Sequence, residues 1–199
     1  MITMRQVERW WALKSYRPLV RALLEGRPET TDRLRLGLSD AVAVAAMTLI
    51  RLDELGQSYT PIYRKLLREV LAGQEADGGW GDPMTTALCV RALACGDGQG
   101  VALQRGIEHL AMLQRPEGIW PRIPLRRMPA DAYVSAFILF HLGGDRRFAA
   151  AVRLADAVAW FDANESTLDA QTQQLWRAAQ ARCALAVSLV EADKRPTVN

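Results

Sequence analysis

The chain has 199 residues, half of them apolar and 24% charged, with a net charge of +3 and a pI near 9.0. That apolar content supplies a substantial core and excludes disorder over most of the length. The basic surplus is small and no Lys/Arg run accompanies it, so nothing reads as a nucleic-acid arm.

The three cysteines, Cys89, Cys95 and Cys183, are an odd number without a framework, which argues against a disulfide-stapled secreted protein. Met1 to Trp11 has no apolar core of the kind a signal peptide needs. The longest apolar run, Ala41 to Ile50, is interrupted by Thr48 and stops at Arg51, too short to span a bilayer. A cytoplasmic protein without a transmembrane segment is the expectation.

In chain order, Met4 to Glu25 reads as a helix with Pro18 inside it, and Gly26 to Arg35 is a polar break. Ser39 or Asp40 then caps a helix over Ala41–Leu55, stopped by Gly56. Thr60 and Pro61 open a third helix that runs to Ala72. Asp82 and Pro83 open a fourth, which ends near Cys95. Val101–Leu113 is helical, and after a loop from Pro121 to Pro129 another helix runs from Asp131 to Leu142. The last pair is expected over Phe148–Asp162 and Leu168–Val190, with a polar tail from 193 to 199 and a single domain over 1–192.

Two segments repeat at one period. Gln74-Glu-Ala-Asp-Gly-Gly-Trp80 and Gln114-Arg-Pro-Glu-Gly-Ile-Trp120 lie forty residues apart at Gln, at Gly78 and Gly118, and at Trp. Self-similarity at this period marks stacked helical hairpins. The first helix of each hairpin has one wet face, while the second, as in Thr85–Cys95, is apolar nearly all round. Outer helices carry one apolar stripe and inner helices are buried on both sides, so two layers follow.

These turns resemble the QW motifs of the terpenoid cyclase and protein prenyltransferase superfamily, the α/α-toroid proteins, with motif support from Thr60 to Leu142. The resemblance implies an all-α fold of α/α-hairpin repeats, about eight helices in two layers, forming a partial or small toroid. A full toroid of that group closes with about six hairpins, and this sequence offers four at best. The resemblance also implies that Gln74, Gly78, Gly79, Trp80, Gln114, Gly118 and Trp120 are fold elements. A Gln carbonyl can accept from the free N–H groups at a helix start, and Gly lets the backbone turn tightly. The acidic Asp-x-Asp-Asp motif of the protonating cyclases, the Asp-rich metal motif and the Asp-x-Cys zinc ligands are all missing from the sequence. No metal or cofactor is expected.

Candidate sites remain. Arg122, Arg126 and Arg127 crowd the loop after Trp120 and could clamp a diphosphate or carboxylate; the simpler reading is a solvated basic loop. Asp82, Asp131 and Asp40 stand at the starts of inner helices, where an acid at a cavity mouth competes with plain N-capping. His141 could shuttle protons or simply meet a helix dipole. His109 reads as a surface residue. Trp10, Trp11 and Tyr16 among basic residues read as packing rather than membrane contact. The leading expectation is a non-catalytic repeat module that binds a protein partner, a copy of itself, or an apolar or isoprenoid ligand. Its rival is an isoprenoid-processing enzyme or a subunit of one. A sugar-processing α/α barrel would need paired carboxylates that the sequence does not pair.

Overall fold

The structure is a computed structural model and describes residues 40–96, 100–123 and 130–194, all within one compact unit, Ser39–Asn199. The helix expected at Met4–Glu25, with Trp10, Trp11 and Tyr16, lies outside the described residues. So do Arg126, Arg127 and the side chain of Asp40.

The described residues form eight α-helices: α1 (Asp40–Glu54), α2 (Pro61–Ala72), α3 (Pro83–Ala94), α4 (Gly100–Leu113), α5 (Ala132–Leu142), α6 (Arg146–Ala151), α7 (Leu154–Asn164) and α8 (Ala170–Lys194). No strand occurs among the described residues, only an isolated bridge between Pro121 and Ala130 that closes the base of the loop after Trp120. The fold is all-α, as expected.

Local chemistry sets the helix ends. Thr60 Oγ1 accepts from the Tyr63 N–H and Pro61 occupies the first turn of α2. Asp82 and Pro83 repeat that arrangement for α3, and Asp131 caps α5 through the Val134 N–H at 3.0 Å. Gly73 and Gly143 follow α2 and α5 in right-handed backbone, and the lack of a Cβ there makes room for Val42 and for Cys183 Sγ.

The helices lie in two rows. In one row α1 packs on α3, α3 on α5, and α5 on α8. In the other, α2 rests on α1, α4 on α3, and α6 and α7 on α8. α3 is buried from Pro83 to Val90 and again at Ala92 and Leu93, so a helix apolar all round is indeed an inner one.

The outer helices α2, α4 and α7 share one register. Tyr63, Leu66, Leu67 and Val70 of α2 correspond to Leu103, Gly106, Ile107 and Leu110 of α4. The same stripe returns in α7 as Leu154, Ala157, Val158 and Phe161. Spacing of 3, 1 and 3 residues keeps each set on one face.

Two expectations change here. Phe148–Asp162 is not one helix but α6 and α7, broken at Val152 and Arg153. The break has a clear cause. The backbone N–H of Arg153 donates to Gln114 Oε1 at 2.8 Å instead of to a carbonyl of its own helix, and Val152 adopts an extended conformation. Second, α8 continues through Lys194, into the segment read as a tail, where Asp193 pairs with Arg146.

Candidate functional site

The two Gln–Gly–Trp turns share one backbone bonding pattern. In the first, the Glu75 N–H donates to the Gly79 carbonyl at 2.9 Å and the Gly78 N–H to the Glu75 carbonyl at 3.0 Å. In the second, Arg115 donates to Ile119 and Gly118 to Arg115, both at 2.9 Å. Gly78 and Gly118 have φ of +92° and +88°, a region L side chains rarely enter. Both also lie against the next outer helix. A Cβ on Gly78 would come within 2.7 Å of the Arg105 carbonyl, and one on Gly118 would strike the backbone of Asp156 and Ala157.

Each Trp is pinned twice. Trp80 Nε1 donates to the Val70 carbonyl and Trp120 Nε1 to the Leu110 carbonyl, both at 2.7 Å. The Trp80 N–H donates to Thr86 Oγ1 at 3.0 Å and the Trp120 N–H to Ser135 Oγ at 2.8 Å. Each Gln reaches forward to the next outer helix. Gln74 Nε2 donates to the carbonyls of Gly78 and Ala102, and Gln114 Nε2 to those of Gly118 and Arg153. An arginine answers in each case: Arg105 of α4 donates to the Glu75 and Ala76 carbonyls, and Arg153, just before α7, to those of Gln114 and Arg115. The glutamines and glycines of the turns thus reach toward the next outer helix, while each Trp N–H bonds the helices on either side of its own turn.

His109 corrects an expectation. It is not on the surface but 5% exposed, with Nδ1 3.5 Å from Asp77 Oδ2 and its ring against Gly79. A Cβ on Gly79 would lie 2.6 Å from Nε2, so the second glycine of the first turn makes room for this ring. Nε2 has no hydrogen-bond partner among the described residues.

The candidate acids collect at the N-terminal ends of the inner row. Asp82 Oδ1 accepts from the N–H groups of Met84 and Thr85 at 2.9 and 3.0 Å, and Thr85 Oγ1 donates to Oδ2 at 2.5 Å. Burial raises its pKa above the ordinary carboxylate value, against the pull of those donors. Asp131 caps α5, and its own N–H donates to the Trp120 carbonyl at 2.8 Å.

Sequence reasoning missed two neighbours. Asp169 precedes α8 and accepts from Gln171 N–H, Thr172 N–H and Thr172 Oγ1 in the pattern of Asp82, and the Thr172 hydroxyl leads in lowering its pKa. Tyr133 stands between Asp131 and Asp169, accepts from Gln171 Nε2 at 3.3 Å, and has its pKa raised by burial and then by those two carboxylates. A signal was available: Asp169-x-x-Thr172 copies Asp82-x-x-Thr85 at a helix start.

His141 lies at the other end of α5, away from this rim. Its ring meets Phe137 and Phe140 at 4.5 and 5.0 Å between centroids. Burial, then the charges of Arg91 and Arg182, bring its pKa down to about 3, so the imidazole is neutral at physiological pH. Arg122 is exposed, the first of its loop's arginines. The described residues thus join Asp131 with Tyr133 and Asp169, but do not bring His141 to them. A surface cavity of about 220 Å³ lies elsewhere, where Val152, Arg153 and Asp156 face Val187 and Glu191 near the end of α8. No cluster among the described residues has the makings of a metal site, and no described helix is long and apolar enough to cross a membrane.

Part of the chain is similar to a terpene synthase. A segment of 62 residues is 40% identical to the drimenyl diphosphate synthase of Streptantibioticus cattleyicolor, covering 28% of this chain and 12% of that protein. No protein-family model and no solved structure matches the chain. The similarity therefore links a fraction of this sequence to a small piece of a much larger enzyme.

Proposed function

We propose that the chain is an α/α-hairpin repeat module of the terpenoid cyclase and prenyltransferase type, part of a small or partial toroid, that works by binding a partner rather than by catalysis. One observation carries this reading: the polar groups best placed for chemistry are engaged by the scaffold itself. Both oxygens of Asp82 take bonds from the first turn of α3, Gln74 and Gln114 join one hairpin to the next, and both tryptophan ring N–H groups bond the helix before their own turn. A general acid needs a proton to give and a path to substrate. His141, neutral at physiological pH, has no proton of that acidity to donate. The test is incubation of the full chain with farnesyl diphosphate, geranylgeranyl diphosphate and squalene, with and without Mg²⁺, followed by product analysis. No product is expected. A cyclised or ionised product that disappears in Asp82→Asn or Asp131→Asn would overturn the reading.

The similarity to drimenyl diphosphate synthase favours a second reading, an isoprenoid-processing enzyme or a subunit of one. In that case Arg122, Arg126 and Arg127 would hold a diphosphate and the rim of Asp82 and Asp131 would face the reacting chain. Turnover in the same incubation separates the two.

A further inference from the structure

The break between α6 and α7 runs against the sequence that carries it. From Arg146 to Asn164 there is no Gly or Pro, and seven of the residues are alanine, the strongest helix former. Yet Val152 is extended, at φ −107° and ψ 166°, and Arg153 has φ −82° and ψ 67°. No side chain caps the start of α7. In a continuous helix the N–H groups of Arg153, Leu154, Ala155 and Asp156 would each bond a carbonyl four residues earlier. The first of these donors is taken instead by Gln114 Oε1, and the Gln114 amide donates to the Arg153 carbonyl. The first joint differs. Gln74 meets the Ala102 carbonyl in the first turn of α4, and Gly96, Gly98 and Gly100 lead into that helix in the sequence. No helix-forming run lies upstream for α4 to join.

We infer that Arg146–Asn164 is a two-state segment and that Gln114 is its latch. Docked, the glutamine holds α6 and α7 apart. Released, it lets them join into one helix, and the second turn gives up its bonds to Arg153. The joined helix regains backbone bonds that the break forgoes, and these offset the loss of the joint. Packing opposes the switch. Phe148 of α6 stacks on Trp120, and Leu154, Ala157 and Phe161 of α7 are buried, so joining draws one helix off its seat. Because α4 has nothing upstream to fuse with, the first joint has no such alternative and stays closed. The surface cavity described above is walled by Val152, Arg153 and Asp156, so the latch also sets its shape. The device is the same under either functional reading.

The test uses the full chain, isotopically labelled, and two substitutions. Gln114→Ala should bring the Cα shifts of Val152 and Arg153 to helical values. It should also slow hydrogen exchange of the Leu154, Ala155 and Asp156 amides by roughly tenfold. Ala155→Pro sets the opposite condition. Ala155 is exposed in the first turn of α7, where proline is accepted, but inside a continuous helix the ring would clash with the carbonyl of Ala151. Alone it should leave the melting temperature unchanged. Added to Gln114→Ala it should restore non-helical shifts at Val152 and Arg153 and lower the melting temperature by a further ~5 °C. Extended or coil shifts at Val152 and Arg153 in Gln114→Ala would overturn the inference, as would an equal loss from Ala155→Pro in both backgrounds. Should Gln114→Ala not fold, relaxation dispersion on the parent chain decides. A minor state with helical shifts at Val152 and Arg153, abolished by Ala155→Pro, is then expected, and flat profiles would sink the latch.

Discussion

The turns at Gln74–Trp80 and Gln114–Trp120 share a backbone hydrogen-bond pattern yet press against different surfaces. The first fits its tryptophan beside Gly106 and its Gly79 beneath the His109 ring. The second has Ile119 at the place of Gly79, Ala157 at that of Gly106 and Trp160 at that of His109, and its Trp120 stacks on Phe148 with centroids 6.0 Å apart. The backbone frame is therefore shared while its surroundings differ. The second turn carries the larger residue at all three places, and it seats them differently: Trp160 is half-buried where His109 is buried. The same frame thus accepts different side-chain volumes, each packed by its own neighbours.

The largest expected effect comes from the tryptophans. Trp120→Ala and Trp80→Ala each empty a fully buried site and should cost about 3–5 kcal/mol in urea unfolding. Trp120→Ala should cost more, by roughly 0.5–1.5 kcal/mol, because only Trp120 stacks on Phe148. Equal losses would show that the stack contributes nothing. Next come Gly78→Ala and Gly118→Ala. Each adds a Cβ at positive φ and drives it into helix backbone, so both should lose more than the ~1 kcal/mol of the conformational effect alone. A variant with unchanged melting temperature would mean the turn does not dock as described.

Gly79→Ala tests the difference between the turns. Its Cβ meets the His109 ring, and a loss of about 1–3 kcal/mol is expected. His109→Ala should relieve most of it, so the double variant should be less destabilised than the sum of the singles. Strict additivity would remove the contact from the account.

How much of this was readable in the sequence follows from where the information sits. The forty-residue spacing of Gln, Gly and Trp announces the hairpins, and Asp or Thr before Pro announces helix starts, because these are local signals. Burial of His109 depends on a residue thirty positions earlier, Gly79, and no local pattern around His109 discloses it. The break at Val152 is equally non-local. The run Phe148-Ala-Ala-Ala-Val-Arg-Leu has no Gly or Pro, and only the Gln114 side chain, thirty-nine residues away, diverts the Arg153 N–H. The Asp131–Tyr133–Asp169 grouping required knowing that α5 and α8 are neighbours.

The smallest effects are at the caps that follow the turns. Asp82→Asn and Asp131→Asn should each cost about 1 kcal/mol or less, since Asn also caps. The pH dependence adds a sign. The folded pKa of Asp82 is raised, so its contribution to stability is full below the ordinary carboxylate value and lost as pH rises through the folded one. Asp169 is depressed, so its contribution is present above the ordinary value and lost as pH falls through the folded one. Denaturation of Asp82→Asn and Asp169→Asn from pH 3 to 7 should therefore show opposite slopes relative to the parent. Slopes of one sign would contradict the difference in burial between the two caps.

The forward reach of the glutamines also bears on the order in which the chain can be completed during synthesis. Gln74 closes on Ala102 and Gln114 on Arg153, each a partner that leaves the ribosome well after its turn. A hairpin emerging from the exit tunnel therefore holds an open joint until the next outer helix arrives. The two joints thus wait on a further 28 and 39 residues of chain, respectively.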